Sequence, residues 1–153
     1  MTEPLAFEFD IRPLAPQPCP GVYNCGDSLA ISLKIRPTGN EPFSHKGIMV
    51  EYVTELWSAF TKPRYLTTPI QANAAEAGVI KKPFIAQLPQ YTIPPSIQTY
   101  HGETFKVRHL IHVVVKKGFS SIEQDKEIEA YIITPCVTKL NPLCVRIAVA
   151  ENI

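Results

Sequence analysis

Apolar and polar residues alternate with a period of two along much of this chain, and no segment shows a sustained period of 3.6. The clearest example is Leu29–Arg36, where large apolar residues occupy every second position. A period of two places alternate side chains on opposite faces of an extended strand, so this segment predicts a half-buried antiparallel strand. Further strands are predicted at Phe7–Arg12, Gly47–Trp57, Phe84–Leu88, Thr104–Lys117, Glu127–Ile132 and Leu143–Ala150.

These strands predict an all-β fold, an antiparallel β-sandwich whose two sheets face one core. The length of 153 residues suits a single domain, so residues 1–153 are predicted to form one sandwich. A 45% apolar share with 19% charged residues excludes an intrinsically disordered chain. The expected inward-facing residues are Ile31, Leu33, Ile35, Val107, Ile111, Val113, Ile132, Val145 and Ile147.

Turn-forming residues separate the predicted strands, and proline is unusually frequent, at 15 of 153 residues. Proline lacks a backbone donor and ends strands, so many short extended segments are expected. Only Gln71–Ala77, with its alanines, could form a helical turn or two, in a fold expected to have almost no helix. The predicted connectors are Pro13–Gly26, Pro37–Lys46, Gln71–Lys82, Pro89–Gly102 and Lys117–Asp125.

The charge balance and the first residues indicate the expected compartment. The net charge of +1 provides no overall attraction to nucleic acid or to a membrane surface. Met1–Pro4 shows no basic segment followed by an apolar run, so no secretory signal is expected. The apolar run Leu110–Val115 is short and is interrupted by His112, which excludes a transmembrane helix there. We therefore expect a cytosolic chain.

The four cysteines favour neither a disulfide framework nor a metal site. Cys19 and Cys25 are six positions apart and Cys136 and Cys144 are eight apart, so no C-x-x-C pair occurs. No histidine lies near the second pair at a spacing typical of zinc ligands. Four reduced thiols are expected, with no bound metal and no cofactor.

Recognisable catalytic motifs are absent from the sequence, including G-x-S-x-G, H-E-x-x-H and the glycine-rich loops that bind phosphates. His109 lies on the apolar face of its predicted strand, where a hydrogen-bonded structural histidine is favoured over a ligand or a base. No catalytic residue is predicted, and the chain is not expected to be an enzyme. A group of acidic residues is interpreted as a solvated face and not as a catalytic carboxylate pair: Glu123, Asp125, Glu127 and Glu129.

The opposite face of the predicted strand Thr104–Lys117 carries a row of basic side chains. This basic stripe could bind an acidic partner or anionic lipid headgroups, and it is the candidate partner-binding site. The alternative is an ordinary solvated sheet face, because isolated surface charges carry little specific information. The basic stripe consists of Lys106, Arg108, His112 and Lys116, with Lys117 at its end.

Several short segments, taken in order from Phe7 to the chain end, resemble one family. They are Val22-Tyr23-x-x-Gly26-x-x-Leu29, His45-Lys46-Gly47-Ile48, Thr99-Tyr100-His101-Gly102 with Val107-Arg108-His109-Leu110, and Asn141-Pro142-Leu143. This collinear series resembles the amino-terminal half of the arrestin-fold subunit of the retromer complex, the vacuolar protein sorting "twenty-six" family. The Tyr-His-Gly triplet is similarly close to the paralogue in the related retriever complex.

The resemblance implies an arrestin-like (immunoglobulin-like) sandwich in a non-enzymatic scaffold of an endosomal cargo-retrieval coat. Such a subunit acts in endosome-to-Golgi or endosome-to-surface transport, is cytoplasmic and peripheral on the endosomal membrane, and binds no nucleic acid. The implied partners are a helical-solenoid coat subunit, sorting nexins and cargo tails. Members of that family have two sandwiches in tandem, whereas this chain matches only the first. Binding to the solenoid subunit is therefore expected to need the second sandwich.

Three turns within these segments also have a physical interpretation of their own. Gly47 and Gly102 each precede a predicted strand, and each permits a positive φ or a close approach of the backbone. Asn141-Pro142 is a turn that starts a strand at a sheet edge. These features predict the fold and not a binding site.

Two other classes of function remain open. An arrestin-like adaptor of receptors or ubiquitin ligases would have the same fold, although the PPxY motif that such adaptors often carry does not occur here. A small β-sandwich enzyme or ligand-binding module is the alternative from a different class.

Overall fold

The structure is a computed structural model, and it describes residues 3–17, 19–62, 64–65 and 70–133. Within these ranges the chain forms thirteen strands and no helix, which confirms the predicted all-β fold. The strands are β1 (Leu5–Pro13), β2 (Val22–Asn24), β3 (Ser28–Pro37), β4 (Phe43–His45), β5 (Ile48–Ser58), β6 (Arg64–Tyr65), β7 (Ile70–Ala75), β8 (Gly78–Ile80), β9 (Phe84–Gln87), β10 (Tyr91–Thr92), β11 (Tyr100–His101), β12 (Phe105–Lys117) and β13 (Ser120–Tyr131).

The smaller sheet is built around β3. Strand β1 pairs with β3 along its whole length in antiparallel register, from Leu5 opposite Pro37 to Pro13 opposite Leu29. Strands β9 and β10 share the other side of β3. Every second residue of β3 is fully buried, as its alternating pattern predicts.

The larger sheet is built around β12, which lies between β5 and β13 in antiparallel register. Strands β6 and β7 pair with the other side of β5, and β11 pairs with the first residues of β12. Strand β2 joins the far side of β13 in parallel, opposite residues 129–131. Strands β4 and β8 form a separate two-stranded ribbon.

One hydrophobic core lies between the two sheets. Of the predicted inward set, the β3 residues and the central β12 residues Ile111 and Val113 are at most 1% exposed. Val107 is only half-buried, because it lies near the start of β12 opposite the short strand β11. The prediction for Ile132 is wrong: β13 ends at Tyr131, and Ile132 is 37% exposed. Val145 and Ile147, with the predicted strand Leu143–Ala150, lie outside the described residues.

Each of the five predicted connectors contains a strand or part of one, and two of them differ most from the prediction. The segment Gln71–Ala77, whose alanines would permit a helical turn, forms none, because Ile70–Ala75 is strand β7 and pairs with β5. Pairing with a neighbouring strand overrides the helical preference of alanine. The connector predicted at Lys117–Asp125 shrinks to Gly118 and Phe119, since β13 already begins at Ser120. The hairpin that joins β12 to β13 therefore has a two-residue turn.

No helix within the described ranges has the length and apolar character needed to span a bilayer.

Candidate interaction surface

The basic stripe lies along the outer face of β12, the strand at the centre of the larger sheet. Lys106, Arg108 and His112 are half-buried, whereas Lys116 and Lys117 are exposed. Because side chains alternate along a strand, the first four share one face, and the neighbouring strands place other side chains beside them. The cross-strand register decides which charges of the stripe remain free.

Arg108 is paired with a carboxylate of the adjacent strand. It lies directly opposite Glu55 on β5, and its Nε donates a hydrogen bond to Glu55 Oε1 at 3.1 Å. The Glu55 side chain is only 12% exposed, so the guanidinium compensates a carboxylate that is largely removed from water. This hydrogen bond is the main reason that the pKa of Arg108 is raised, and the nearby charges of Glu127 and Asp125 add to it. The positive charge of Arg108 is thus compensated by the carboxylate of Glu55 within the sheet.

His112 lies among acidic side chains of β13. It is opposite Asp125, and its Nδ1 is in hydrogen-bond contact with Asp125 Oδ1. Its Nε2 lies 3.8 Å from Glu123 Oε1. His101 on β11 has its Nε2 3.4 Å from Oε1 of Glu129, which lies four residues beyond Asp125 on β13. Three of the four acidic residues on the predicted solvated face, Glu123, Asp125 and Glu129, therefore contact histidines.

The lysines of the stripe have different surroundings. Lys106 Nζ lies 5.2 Å from the centroid of the Trp57 ring, and Lys117 Nζ lies 4.8 Å from the centroid of the Phe43 ring. Both distances are within the range of cation–π attraction. Lys116 is exposed at the end of the strand. The positive charge available to a partner therefore lies mainly on the lysines, at the two ends of the stripe.

The stripe and the acidic residues form two neighbouring columns of opposite charge. The alternation along single strands does not indicate this arrangement, because the predicted connector Lys117–Asp125 leaves β12 and β13 unpaired. A signal was present: Gly118 begins a two-residue turn, and a glycine at the first central position is typical of a type II′ hairpin. Whether the five basic residues bind a partner stays a prediction.

His109 is a structural histidine in the core, as predicted. It is 0% exposed; its Nε2 lies 2.9 Å from the carbonyl oxygen of Ile97 and its Nδ1 lies 3.1 Å from Thr54 Oγ1. A carbonyl oxygen only accepts, so Nε2 carries the proton and Nδ1 accepts from the Thr54 hydroxyl. Burial lowers the pKa of His109 and favours the neutral ring.

Gly47 and Gly102 are each required by the backbone, but for different reasons. Gly47 has a φ of +138°, a conformation that residues with a side chain rarely adopt. At Gly102 a Cβ would lie 2.6 Å from the carbonyl oxygen of Phe105 and 2.6 Å from Cε1 of Tyr100. A positive φ is thus needed at the first position and a close approach at the second. Asn141-Pro142 lies outside the described residues.

The described part of the chain contains no group of three or more histidine, cysteine or acidic residues arranged to hold a metal ion. Cys19 and Cys25 are free thiols, whereas Cys136 and Cys144 lie outside the described residues. Burial, with a smaller contribution from the charge of Asp27, raises the pKa of Cys25 to about 11. A thiol with this pKa is a poor nucleophile at neutral pH.

No protein-family model matches the chain, and no curated protein matches it. Among solved structures, the chain is similar to Spo0M, a sporulation control protein from Bacillus subtilis, with a TM-score of 0.52 and 12% sequence identity. The match covers 82% of this chain and 49% of Spo0M, so the chain spans about half the length of that protein. The likeness extends to the fold alone, and it identifies the sandwich as arrestin-like.

Two β-glucosidases are also matched over 82% of this chain. The enzyme from Erythrobacter marinus has a TM-score of 0.28, 14% identity and 15% coverage of its own chain. The enzyme from Listeria innocua has a TM-score of 0.27, 15% identity and 16% coverage. TM-scores this low carry no argument about the fold or the chemistry of this chain.

Proposed function

We propose that this chain is the amino-terminal sandwich of a non-enzymatic adaptor subunit in an endosomal cargo-retrieval coat of the retromer or retriever type. It acts by protein–protein binding in endosome-to-Golgi or endosome-to-surface transport. Its partners are sorting nexins and cargo tails, and it joins a helical-solenoid coat subunit mainly through a second sandwich. It is cytoplasmic and peripheral on the endosomal membrane.

The observation that carries this proposal is where the resembling segments lie in the arrestin-like sandwich. Val22–Leu29 contains β2 and the start of β3, and Gly26 between them has a φ of +90°. His45–Ile48 joins β4 to β5 through the positive-φ Gly47, and Thr99–Gly102 contains β11 and the sterically required Gly102. Segments that share turns and strand starts in one order support a common architecture.

Within this proposal, the partner surface is the outer face of the larger sheet. Arg108 and His112 contact carboxylates of the neighbouring strands, and these contacts fix the positions of the acidic and basic side chains relative to one another. Lys106 lies at one end of the stripe, and β13 offers acidic side chains alongside. A surface with adjacent columns of opposite charge selects a partner with the complementary order of charges and disfavours one with the reverse order.

Affinity capture from the source cell tests the proposal. The immobilised chain is incubated with lysate, and the bound proteins are identified by mass spectrometry. We expect sorting nexins or the tails of recycling receptors, and Lys106→Glu is expected to weaken their capture several-fold. The matched control is Lys34→Glu, which reverses a half-buried lysine on the smaller sheet and is expected to leave capture unchanged.

Two outcomes would contradict the proposal. Recovery of receptors or ubiquitin ligases without coat subunits or sorting nexins would favour the alternative of an arrestin-like receptor adaptor. A tightly bound small molecule in the purified chain, with no specific protein partner, would favour the ligand-binding module or enzyme. Calorimetry with the solenoid subunit then tests the division of roles, since this chain alone is expected to bind it weakly or not at all.

A further inference from the structure

The turn between β12 and β13 carries the most exposed large apolar side chain of the described residues. Phe119 has a relative exposure of 113%, which means that it stands clear of the fold. Gly118 has a φ of +60°, and positive φ among the described residues occurs at glycines only. A positive φ at the first central position alone defines a type II′ turn, whose twist matches that of the flanking strands.

The paired residues on both sides of this short turn hold the backbone of Phe119 at a defined position outside the fold. The flanking residues Lys117 and Ser120 are paired across the hairpin, and Ser120 Oγ donates a hydrogen bond to the carbonyl of Lys117 at 3.2 Å. A type II′ turn requires glycine at its first central position but requires nothing apolar at its second. The phenylalanine is therefore not explained by the turn itself.

Three lysines surround this hairpin tip. Lys116 and Lys117 precede the turn, and the backbone of Lys46 donates a hydrogen bond to the carbonyl of Lys116 at 2.7 Å. All three side chains belong to exposed residues. Acidic residues also lie toward this end of the sandwich. Glu41 lines the same cleft as Lys117, Glu3 and Thr38 are joined by a hydrogen bond beside that cleft, Glu76 accepts a hydrogen bond from Asn73, and Glu123 is paired opposite Val114. Along the hairpin itself, from residue 116 to residue 122, the charged residues are lysines only.

We propose that this tip, Lys116–Phe119 with Lys46, docks directly on an anionic lipid surface. Phe119 enters the boundary between headgroups and acyl chains, while the lysines contact the anionic headgroups. An exposed aromatic residue flanked by lysines fits such a surface, because interfacial binding combines buried apolar area with attraction to anionic lipids. The near-neutral chain has no overall drive to a membrane, so the attraction is confined to this end. The inference rests on the hairpin alone and does not need the proposed coat function.

Co-sedimentation of the full chain with vesicles tests this inference. Vesicles of phosphatidylcholine alone are compared with vesicles that also contain phosphatidylserine, at low and at high salt. We expect binding to the phosphatidylserine vesicles that falls with salt. Phe119→Ser is expected to lower the partition coefficient roughly ten-fold, and Lys116→Gln/Lys117→Gln on the order of twenty-fold. Phe119→Trp is expected to retain binding, and its emission to shift to the blue on the anionic vesicles.

Matched controls separate the tip from general hydrophobicity and charge. Phe60 is 82% exposed and follows β5 at the opposite end of the larger sheet, so Phe60→Ser is expected to leave binding unchanged. Lys34→Gln/Lys126→Gln removes two lysines away from the tip, one half-buried and one exposed, and is expected to have no effect. The proposal is overturned if the chain does not bind, if it binds both vesicle types equally, or if the controls weaken binding as much as the tip variants. It is also overturned if the tip variants lose an acidic protein partner while vesicle binding stays absent.

Discussion

His109 and Phe119 lie ten residues apart on the hairpin of β12 and β13. The polarity of each side chain is the opposite of what its burial favours. His109 is a polar ring at 0% exposure in the core, and Phe119 is an apolar ring at full exposure. The histidine has a partner for each ring nitrogen, so its burial leaves no polar group unsatisfied. The phenylalanine projects from a rigid turn into solvent.

The comparison separates two ways in which a residue can depart from the hydrophobic pattern. A buried polar group whose partners lie within the chain fixes the position of neighbouring segments. Here His109 joins β12 to the segment around Ile97 and, through Thr54, to β5. An exposed apolar group on a short, paired turn contributes little to the stability of the fold. Exposed apolar surface of this kind is typical of sites that contact another molecule. Each of the following predictions tests one side of this contrast.

The largest loss of stability is expected when buried apolar residues between His109 and Phe119 are truncated. Ile111 and Val113 are both 0% exposed, so Ile111→Ala or Val113→Ala should lower the free energy of unfolding by about 1–4 kcal/mol. Urea denaturation measures this change. As a control, Ile85→Ala on β9 removes a side chain that is 61% exposed and should change stability by less than about 0.5 kcal/mol. Unmoved midpoints for both core variants would show that the inner face of β12 is misassigned.

The same strand shows how much of the fold could be predicted from the sequence. The alternation along Leu29–Arg36 and Thr104–Lys117 predicted both central strands and the buried face of each, because the period of two is a local property. The end of β13 could not be predicted in this way. Ile132 continues the alternation, but its backbone N–H bonds to the side chain of Gln98, and the ladder has already ended.

The candidate surface was less predictable than the core. The basic stripe was visible because alternation places its residues on one face. Its neutralisation by Glu55 and Asp125 depends on the cross-strand register, which alternation along one strand does not specify. The exposed position of Phe119 depends on the length of the turn, which has two residues, whereas the predicted connector Lys117–Asp125 is longer. Strand pairing therefore determines which charges of the stripe are compensated and how far Phe119 is exposed.

A smaller loss of stability is expected when Arg108, which neighbours His109 on the outer face of β12, is replaced. Arg108→Leu leaves the largely buried carboxylate of Glu55 without its guanidinium and should lower the free energy of unfolding by about 1–3 kcal/mol, since Arg108 is partly screened by solvent. The double variant Arg108→Leu/Glu55→Leu should recover most of this loss, because it removes the uncompensated charge as well. A double variant as unstable as the single one would mean that the pair contributes by packing and not by charge.

The pH dependence of stability tests the buried side of the contrast. Because burial lowers the pKa of His109, the unfolded chain binds a proton more readily than the folded one. The histidine's contribution is complete above its unfolded pKa of about 6.5 and is lost as the pH falls toward the lower folded value, at up to about 1.4 kcal/mol per pH unit. Urea unfolding of the wild type and of His109→Gln across this range measures the difference. His45, whose pKa is also lowered by burial, contributes equally to both proteins. Parallel pH profiles would show that His109 does not titrate differently on folding.

The smallest effect is expected at the exposed end of the hairpin. Phe119→Ser should change the free energy of unfolding by less than about 0.5 kcal/mol, because the side chain is fully exposed and Gly118 retains its positive φ. Gly118→Ala, in contrast, forces a side chain into the left-handed region and should cost about 1 kcal/mol while leaving Phe119 in place. Urea midpoints for the two variants compare the turn with the residue that it presents. If Phe119→Ser were the more destabilising change, Phe119 would have to pack within the fold, and the contrast with His109 would fail. A neutral Phe119→Ser keeps the fold intact and leaves a protein in which only the external contact is altered, which is the condition that the vesicle experiment needs.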